Sequence, residues 1–448
     1  MEQQRKSRVS FSHILRESII GKMAFIGIII ILLMIPVSMV QQLIRERQSL
    51  KDGAKREVSE KWGREQVVSG PVIMVPYRES YEKTNGELIE TIKILHILPE
   101  SLDISGDVTN ETRNRNRFEV MLYKSKLHLK GHFKLPNWSN LQLSANQVLW
   151  DRAWVSIGIS DNTGIKSQTK IKLGKQTYAL ESGSEAPKLM SNGLHSKIKL
   201  QSETEMIPFE LDLDLQGTDY IGFTPVGKET TVQIASPWKD PSFRGNFLRE
   251  SYTPTEKGFT ATWKIYDLNR NFPQTWLGQK YNFDHSDFGV SLIKKVDEYH
   301  LNYRSGKYAL FVIALTFLIF FFFEVLGKHQ LHPFQYLLIG LAISIFYLLL
   351  LSFSEQVGFK RAYVIAASAT IGLIAIYSKF ILKNFMQAGL LGLLLMVIYG
   401  FIYVVLQLED LALLVGSIGL FIVLAAVMYL SRNVNWFGDK AKGVDLST

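Results

Sequence analysis

The chain has 448 residues, 50 Lys and Arg against 41 Asp and Glu, a formal charge of +9, and no cysteine. The missing thiols exclude disulfides, cysteine nucleophiles and thiolate metal sites. The positive excess does not describe a nucleic-acid surface: residues 45–304 hold 36 basic and 33 acidic side chains. Most of the surplus flanks apolar runs, where it suits lipid head groups, and no basic stripe is interleaved with aromatics.

In chain order, the first element is an apolar run at 23–40, preceded by Arg5, Lys6, Arg8, Arg16 and Lys22. Its 18 residues exceed a signal-peptide core, and Pro36-Val37-Ser38-Met39-Val40 offers no small-x-small cleavage motif, so an uncleaved anchor is expected. The charged stretch Gln41–Trp62, with Leu43, Ile44, Arg47 and Leu50 on one face, is expected to continue that helix out of the membrane.

The hydrophobic period then changes. Leu127, Leu129, Gly131, Phe133 and Leu135 alternate with Lys126, His128, Lys130, His132 and Lys134; Phe209, Leu211, Leu213 and Leu215 alternate with Glu210, Asp212 and Asp214. Period two marks half-buried strands. Further strands are expected at 67–77, 88–98, 117–124, 153–159, 168–173, 196–203, 229–235, 259–266 and 288–294, separated by turns such as Asn85-Gly86. About eleven strands with little helix predict a β-sandwich, or two stacked sandwiches.

Five further apolar runs follow at 308–326, 334–353, 362–380, 388–406 and 411–430, each near the roughly 20 residues that span a bilayer. Their short connections predict antiparallel neighbours. Ser368 with Gly372, Ala388 with Gly392, and Gly416 with Gly419 offer small-residue packing spots. Basic residues near the span ends place both termini in the cytoplasm. The acidic pair Glu409 and Asp410 falls outside, against the contrary vote of Lys360 and Arg361. The fold class expected is therefore membrane α plus β: six transmembrane helices with a large all-β, sandwich-like extracytoplasmic domain between the first and second. The layout is a cytoplasmic N-terminus at 1–22, a span at 23–40, a juxtamembrane helix at 41–62, a β-rich domain at 63–307, a five-helix bundle at 308–430 and a cytoplasmic tail at 431–448.

No phosphate loop, dinucleotide fingerprint, nucleophile elbow or zinc helix occurs. No catalytic residue, cofactor or metal is therefore expected, and the chain reads as a non-enzyme. His128 and His132 share the polar face of one strand, about 13 Å apart, too far for one metal. His329 and His332 sit in a turn beside Pro333. Two acids mark the bundle. Glu324 ends the second span and is expected to pair with Lys328 one turn on, with proton or ion coupling as the sharper reading. Glu355 ends the third and is expected to meet Lys360 or Arg361.

The start of the C-terminal block reads Phe288-Gly289-Val290-Ser291-Leu292, Val296-Asp297-Glu298-Tyr299 and Arg304-Ser305-Gly306-Lys307. It runs on through Phe321-Phe322-Phe323-Glu324 and Leu331-His332-Pro333 to Phe346-Tyr347-Leu348-Leu349-Leu350-Leu351-Ser352 and Ser354-Glu355. These residues, with shorter islands elsewhere over about 18–437, resemble the CreD family of bacterial cell envelope integrity proteins. The resemblance implies an inner-membrane protein supporting envelope integrity or an envelope-stress response, and it brings no catalytic residues. It raises interest in Glu324, His332 and Pro333 without assigning roles, and Glu355 joins them as a candidate by its place at the end of the third span. The expected partners are the lipid bilayer and an envelope protein or wall component, with no nucleic acid; no feature fixes an oligomeric state. A transporter or channel built on the bundle is the alternative.

Overall fold

A computed structural model describes residues 19–82, 88–115, 117–136, 138–141, 143–200, 206–283, 285–292, 298–327, 331–408 and 411–432. The chain divides into two compact units, Met1–Leu50 with Val296–Thr448, and Lys51–Lys295.

The first unit is helical. Helix α1 runs unbroken over Ile19–Trp62, passing through Pro36, and its residues from Lys51 on count with the second unit. Then come α2 (Glu298–Lys307), α3 (Ala309–Gly327), α4 (Pro333–Val357), α5 (Phe359–Leu382), α6 (Phe385–Gln407) and α7 (Ala412–Ser431). Among the described residues six helices, all but α2, are long and apolar enough to cross a membrane. One hydrophobic cluster holds α1 and α3–α6 together: Leu33 and Val37 meet Ile313, Phe317, Ile343, Phe346, Tyr363, Leu391 and Tyr399. At Gly340 a Cβ would lie 2.0 Å from the Leu33 side chain and 2.9 Å from the Phe317 ring, so a larger residue there would force the Leu33 side chain of α1 to move. Of the expected small-residue spots, Gly419 receives the Phe401 ring and Gly392 meets Ala375, whereas Gly372 and Gly416 face open space. Helix α7 buries none of its residues within the protein, as suits a helix facing lipid.

The second unit contains seventeen strands among the described residues. They are β1 (Gln66–Glu82), β2 (Leu88–Ile97), β3 (Ser101–Arg115), β4 (Phe118–Lys134), β5 (Trp154–Ile159) and β6 (Lys170–Leu173). Next are β7 (Gln176–Ala179), β8 (Glu181–Ser182), β9 (Gly193–Lys197), β10 (Met206–Thr218), β11 (Tyr220–Thr224) and β12 (Glu229–Ser236). The last are β13 (Ser242–Gly245), β14 (Ser251–Thr255), β15 (Gly258–Tyr266), β16 (Thr275–Leu277) and β17 (Phe288–Ser291). One sheet has nine strands in the order β13-β17-β11-β1-β5-β9-β8, with β2 on β1 and β16 on β2; the other has eight, β14-β15-β12-β3-β4-β10-β6-β7. A single core joins the two sheets, with Val68, Ile73, Val155, Ile221 and Val290 from one and Ile104, Leu129, Leu213, Ile234 and Trp263 from the other. The unit is thus one sandwich rather than two.

The two alternating runs fold as read: Leu127, Leu129 and Phe133 are buried, as are Phe209, Leu211, Leu213 and Leu215, while Lys126, Lys130 and Asp212 are exposed. The stretches expected at 117–124 and 127–135 are one strand, β4. Its hairpin partner β3 lies outside the expected strands: Leu102, Ile104 and Val108 alternate over its first half, but Thr109–Arg115 is polar on both faces and shows no period. The expected domain, 63–307, and the compact unit, Lys51–Lys295, differ at both ends for physical reasons. Trp62 packs on Val120 and Leu122, drawing the end of α1 into the sandwich unit. Residues Glu298–Lys307 form α2, which buries Tyr299, Leu301, Asn302 and Ser305 in the helical unit.

Candidate functional site

Glu324 is a buried acid of the helical unit with three hydrogen-bond donors on its carboxylate. It ends α3 with its side chain only 3% exposed, where water cannot solvate a carboxylate. Lys22 Nζ donates to its Oε1 at 2.8 Å, and the Leu331 backbone N–H donates to the same oxygen at 3.3 Å. The Tyr336 hydroxyl donates to Oε2 at 2.9 Å. Tyr336 is itself held edge-on by Phe317, ring centroids 5.4 Å apart. One carboxylate therefore ties the start of α1, the end of α3 and the first turn of α4. The expected partner, Lys328, lies outside the described residues, as does His329. In the sequence Lys22 is a flanking charge, and nothing local pairs positions 302 residues apart.

His332 and Pro333 start α4. His332 is its N-cap, its Nδ1 accepting from the Phe334 N–H at 3.2 Å while Gln335 Oε1 accepts from the His332 N–H at 2.9 Å. Pro333 takes the first helical position, where its missing N–H costs nothing. The pair is a helix start.

At the other end of α4, Glu355 accepts from the Tyr299 hydroxyl at 3.0 Å and faces Arg47 Nε at 4.0 Å, both distant in sequence. Beside it, buried Asn302 donates through Nδ2 to Ser354 Oγ at 2.7 Å and to the Glu298 carbonyl at 2.9 Å. Arg304 Nη2 donates to the Leu408 carbonyl at 3.0 Å, satisfying the C-terminal end of α6. The helix α2, itself unforeseen, thus docks by polar contacts on α4 and α6. It unites the separate signature pieces Glu298-Tyr299, Arg304-Ser305-Gly306 and Ser354-Glu355.

In the sandwich unit, Lys55 Nζ lies 2.5 Å from Asp219 Oδ2. Asp219 sits between β10 and β11 at φ 63°, a left-handed conformation that Asp tolerates better than most residues. Burial raises its carboxyl above the ordinary value, against the pull of the Lys55 ammonium. Nearby, the Trp62 ring lies under the Arg113 guanidinium at 4.2 Å, and its Nε1 donates to the Tyr123 carbonyl at 3.4 Å.

The outer face of the eight-stranded sheet sets acids against bases across β3, β4 and β10. Asp103 and Glu210 flank Lys130, Ser105 and Asp212 flank His128, and Asp107 and Asp214 flank Lys126. His128 Nδ1 lies 2.8 Å from Asp212 Oδ1, and His132 Nδ1 lies 2.7 Å from Ser101 Oγ, so the two histidines serve different rows. A cleft of about 470 Å³ opens over the first two rows beyond Lys130. Among the described residues no group of three His, Asp or Glu side chains is placed to hold a metal ion.

A family model described as inner membrane protein CreD matches residues 18–437. The chain belongs to the CreD family. It is 30% identical to the inner membrane protein CreD of Escherichia coli (strain K12) over 431 residues, 94% of this chain and 95% of that protein. Like that relative it is an inner membrane protein, and its apolar helices are membrane spans. Among solved structures, an M1 zinc metallopeptidase from Deinococcus radiodurans is 12% identical, with 44% of this chain and 42% of that one covered. Its TM-score of 0.19 is too low to equate the folds.

Proposed function

We propose that this CreD-family chain supports the integrity of a bacterial cell envelope without catalysing a reaction. Its sandwich unit faces the periplasm as a binding or sensing module, the helical bundle anchors it, and both termini lie in the cytoplasm. One observation carries the reading: Glu324 and Glu355, the acids at the ends of α3 and α4, are engaged in holding helix to helix, while a cleft opens on the sandwich unit. The five basic residues before the first span support the orientation. A strain lacking the gene, complemented with the intact chain or with one lacking 63–292, tests it through growth under detergent or wall-directed antibiotics. Equal tolerance with both would sink the binding-module reading.

A transporter or channel is the second reading, favoured by the burial of Glu324, paired with the part-exposed Lys22, beside membrane spans. It requires Glu324 to exchange partners during a cycle. Normal abundance of Glu324→Gln with complete loss of tolerance would move it ahead.

A further inference from the structure

A second cleft of the sandwich unit, about 630 Å³, lies where the segment after β15 meets the one before β17. Its lining differs in kind from the acid–base rows. Four carboxamides, Asn246, Asn271, Gln279 and Asn282, share it with the cations Lys188 and Lys280 and with the ring of Tyr281. None of its described lining residues is acidic.

The walls are held from behind. Arg270 is 9% exposed and, among the described residues, has no carboxylate partner within ion-pair distance. Its guanidinium donates to the carbonyls of Phe272 at 2.5 Å, Val226 at 3.3 Å and Pro273 at 3.5 Å, and to the Gln274 amide oxygen. Gln274 in turn donates to the carbonyls of Val226 and Pro99. Burial lowers the Arg270 pKa to about 10, which leaves the cation charged at neutral pH. A buried cation met by carbonyl oxygens alone, its Nε left without a partner, is a costly way to shape a loop, and here it fixes the start of the segment that carries Asn271, Gln279 and Tyr281. Tyr281 is 39% exposed and packs edge-on against Trp276, ring centroids 5.7 Å apart, and Trp276 stacks on buried His96 at 4.8 Å. On the opposite wall the Asn246 N–H donates to the Asp287 carbonyl at 2.9 Å.

Carboxamides donate and accept at once and so match vicinal hydroxyls or an acetamido group. An aromatic face covers the C–H face of a sugar ring, and ammonium groups pair with carboxylate or phosphate. We propose that this cleft binds an acidic sugar, a hydroxyl-bearing ring with a carboxylate or phosphate group. The assignment deepens the reading of the sandwich unit as a binding module and rests on it.

The test uses the full chain in detergent micelles and titration calorimetry with three probes. These are the disaccharide of N-acetylglucosamine and N-acetylmuramic acid, glucosamine 6-phosphate, and the neutral N-acetylglucosamine dimer. At least one acidic probe should bind about tenfold more tightly than the neutral dimer, as a charge-assisted contact implies. Preference for the first assigns a wall-type carboxylate sugar, and preference for the second a phosphorylated head-group sugar. Lys188→Ala and Lys280→Ala should each weaken the acidic probe several-fold and leave the dimer unchanged, while Asn271→Ala and Tyr281→Ala weaken both. These side chains are exposed, and unchanged circular dichroism checks the fold of each variant. Equal affinity for acidic and neutral sugars, no binding of any probe, or indifference to all four substitutions overturns the site. Lost binding with envelope tolerance intact would instead leave the site standing and remove the envelope role.

Discussion

Two lysines of one helix, Lys22 and Lys55, each meet a buried carboxylate far away in sequence, and the two environments treat that acid differently. Glu324, in the helical unit, collects an ammonium, a phenol hydroxyl and a backbone N–H. Asp219, in the sandwich unit, stands in a left-handed backbone with Lys55 as its ion-pair partner, and burial pushes its carboxyl up. Beside lipid, water offers an anion little, so a retained charge must be surrounded by protein donors. In a water-soluble domain, taking up a proton is an outlet that bulk water supplies. The same pair is thus one contact of a several-donor clamp in one place and, in the other, an ion pair on a carboxyl that burial raises.

The clamp breaks most severely from its cationic side. Lys22→Met should leave the Glu324 carboxylate buried without its cation, costing ~3 kcal/mol. The measurement is the apparent melting temperature of the detergent-purified chain, and an unchanged value would show that the pair does not hold the helices.

The sandwich unit should answer to pH through His96, which burial holds at about 4 against an ordinary 6.5. The unfolded chain then binds the extra proton between those values, so stability is complete above pH 6.5, falls as pH drops toward 4, and levels off below. That displacement is worth roughly 3 kcal/mol. His96→Phe keeps a ring against Trp276 and should flatten this part of the pH profile in urea unfolding; a profile as steep as the parent's would refute the assignment.

Glu324→Gln keeps the size and the hydrogen-bonding oxygen but loses the ion pair. Lys22 is 27% exposed and can recover some hydration, so the loss should be about 1–2 kcal/mol, below that of Lys22→Met. An exposed helix-end pair would have been worth only ~0–1 kcal/mol. A double-mutant cycle on thermal stability reads the coupling, and additive effects would contradict direct pairing.

The mildest change is expected at Asp219. Asn also accepts the left-handed conformation and carries no buried charge, so Asp219→Asn should shift stability by less than ~1 kcal/mol at pH 7. Because the folded state holds the Asp219 proton more tightly, the parent loses stability as pH rises through the window just above 3.8, and the Asn variant should not. Chemical denaturation across that window separates the two, and a loss in Asn as large as that of Glu324→Gln would erase the contrast between the regions.

Much of the candidate chemistry was legible only as residue types. Glu324 stood out because a lone acid in an apolar run is costly, and His332-Pro333 stood out as a turn; their partners did not. Lys22 and Tyr336 carry no mark that points to Glu324. Arg270 reads as one more surface arginine until its burial among carbonyls is seen. The cleft lined by Asn271, Gln279 and Tyr281 comes from a segment with no periodicity, which pattern reading passes over as loop.

What the sequence determined alone was whatever repeats along the chain. Six apolar runs are long enough to cross a bilayer because unsatisfied backbone cannot face lipid, and alternation at 127–135 and 209–215 declared strands because side chains point to opposite faces in turn. Tertiary structure alone decided which strands pair: β1 lies between β11 and β5, and β12 runs parallel to β3 across more than a hundred residues of chain. It alone brought Lys22 to Glu324, seated Leu33 over Gly340 and folded Glu298–Lys307 into a docking helix. Periodicity is local, a consequence of backbone geometry over a few residues. Pairing is not, because it depends on which buried groups find donors and which surfaces fit once the whole chain has closed around them.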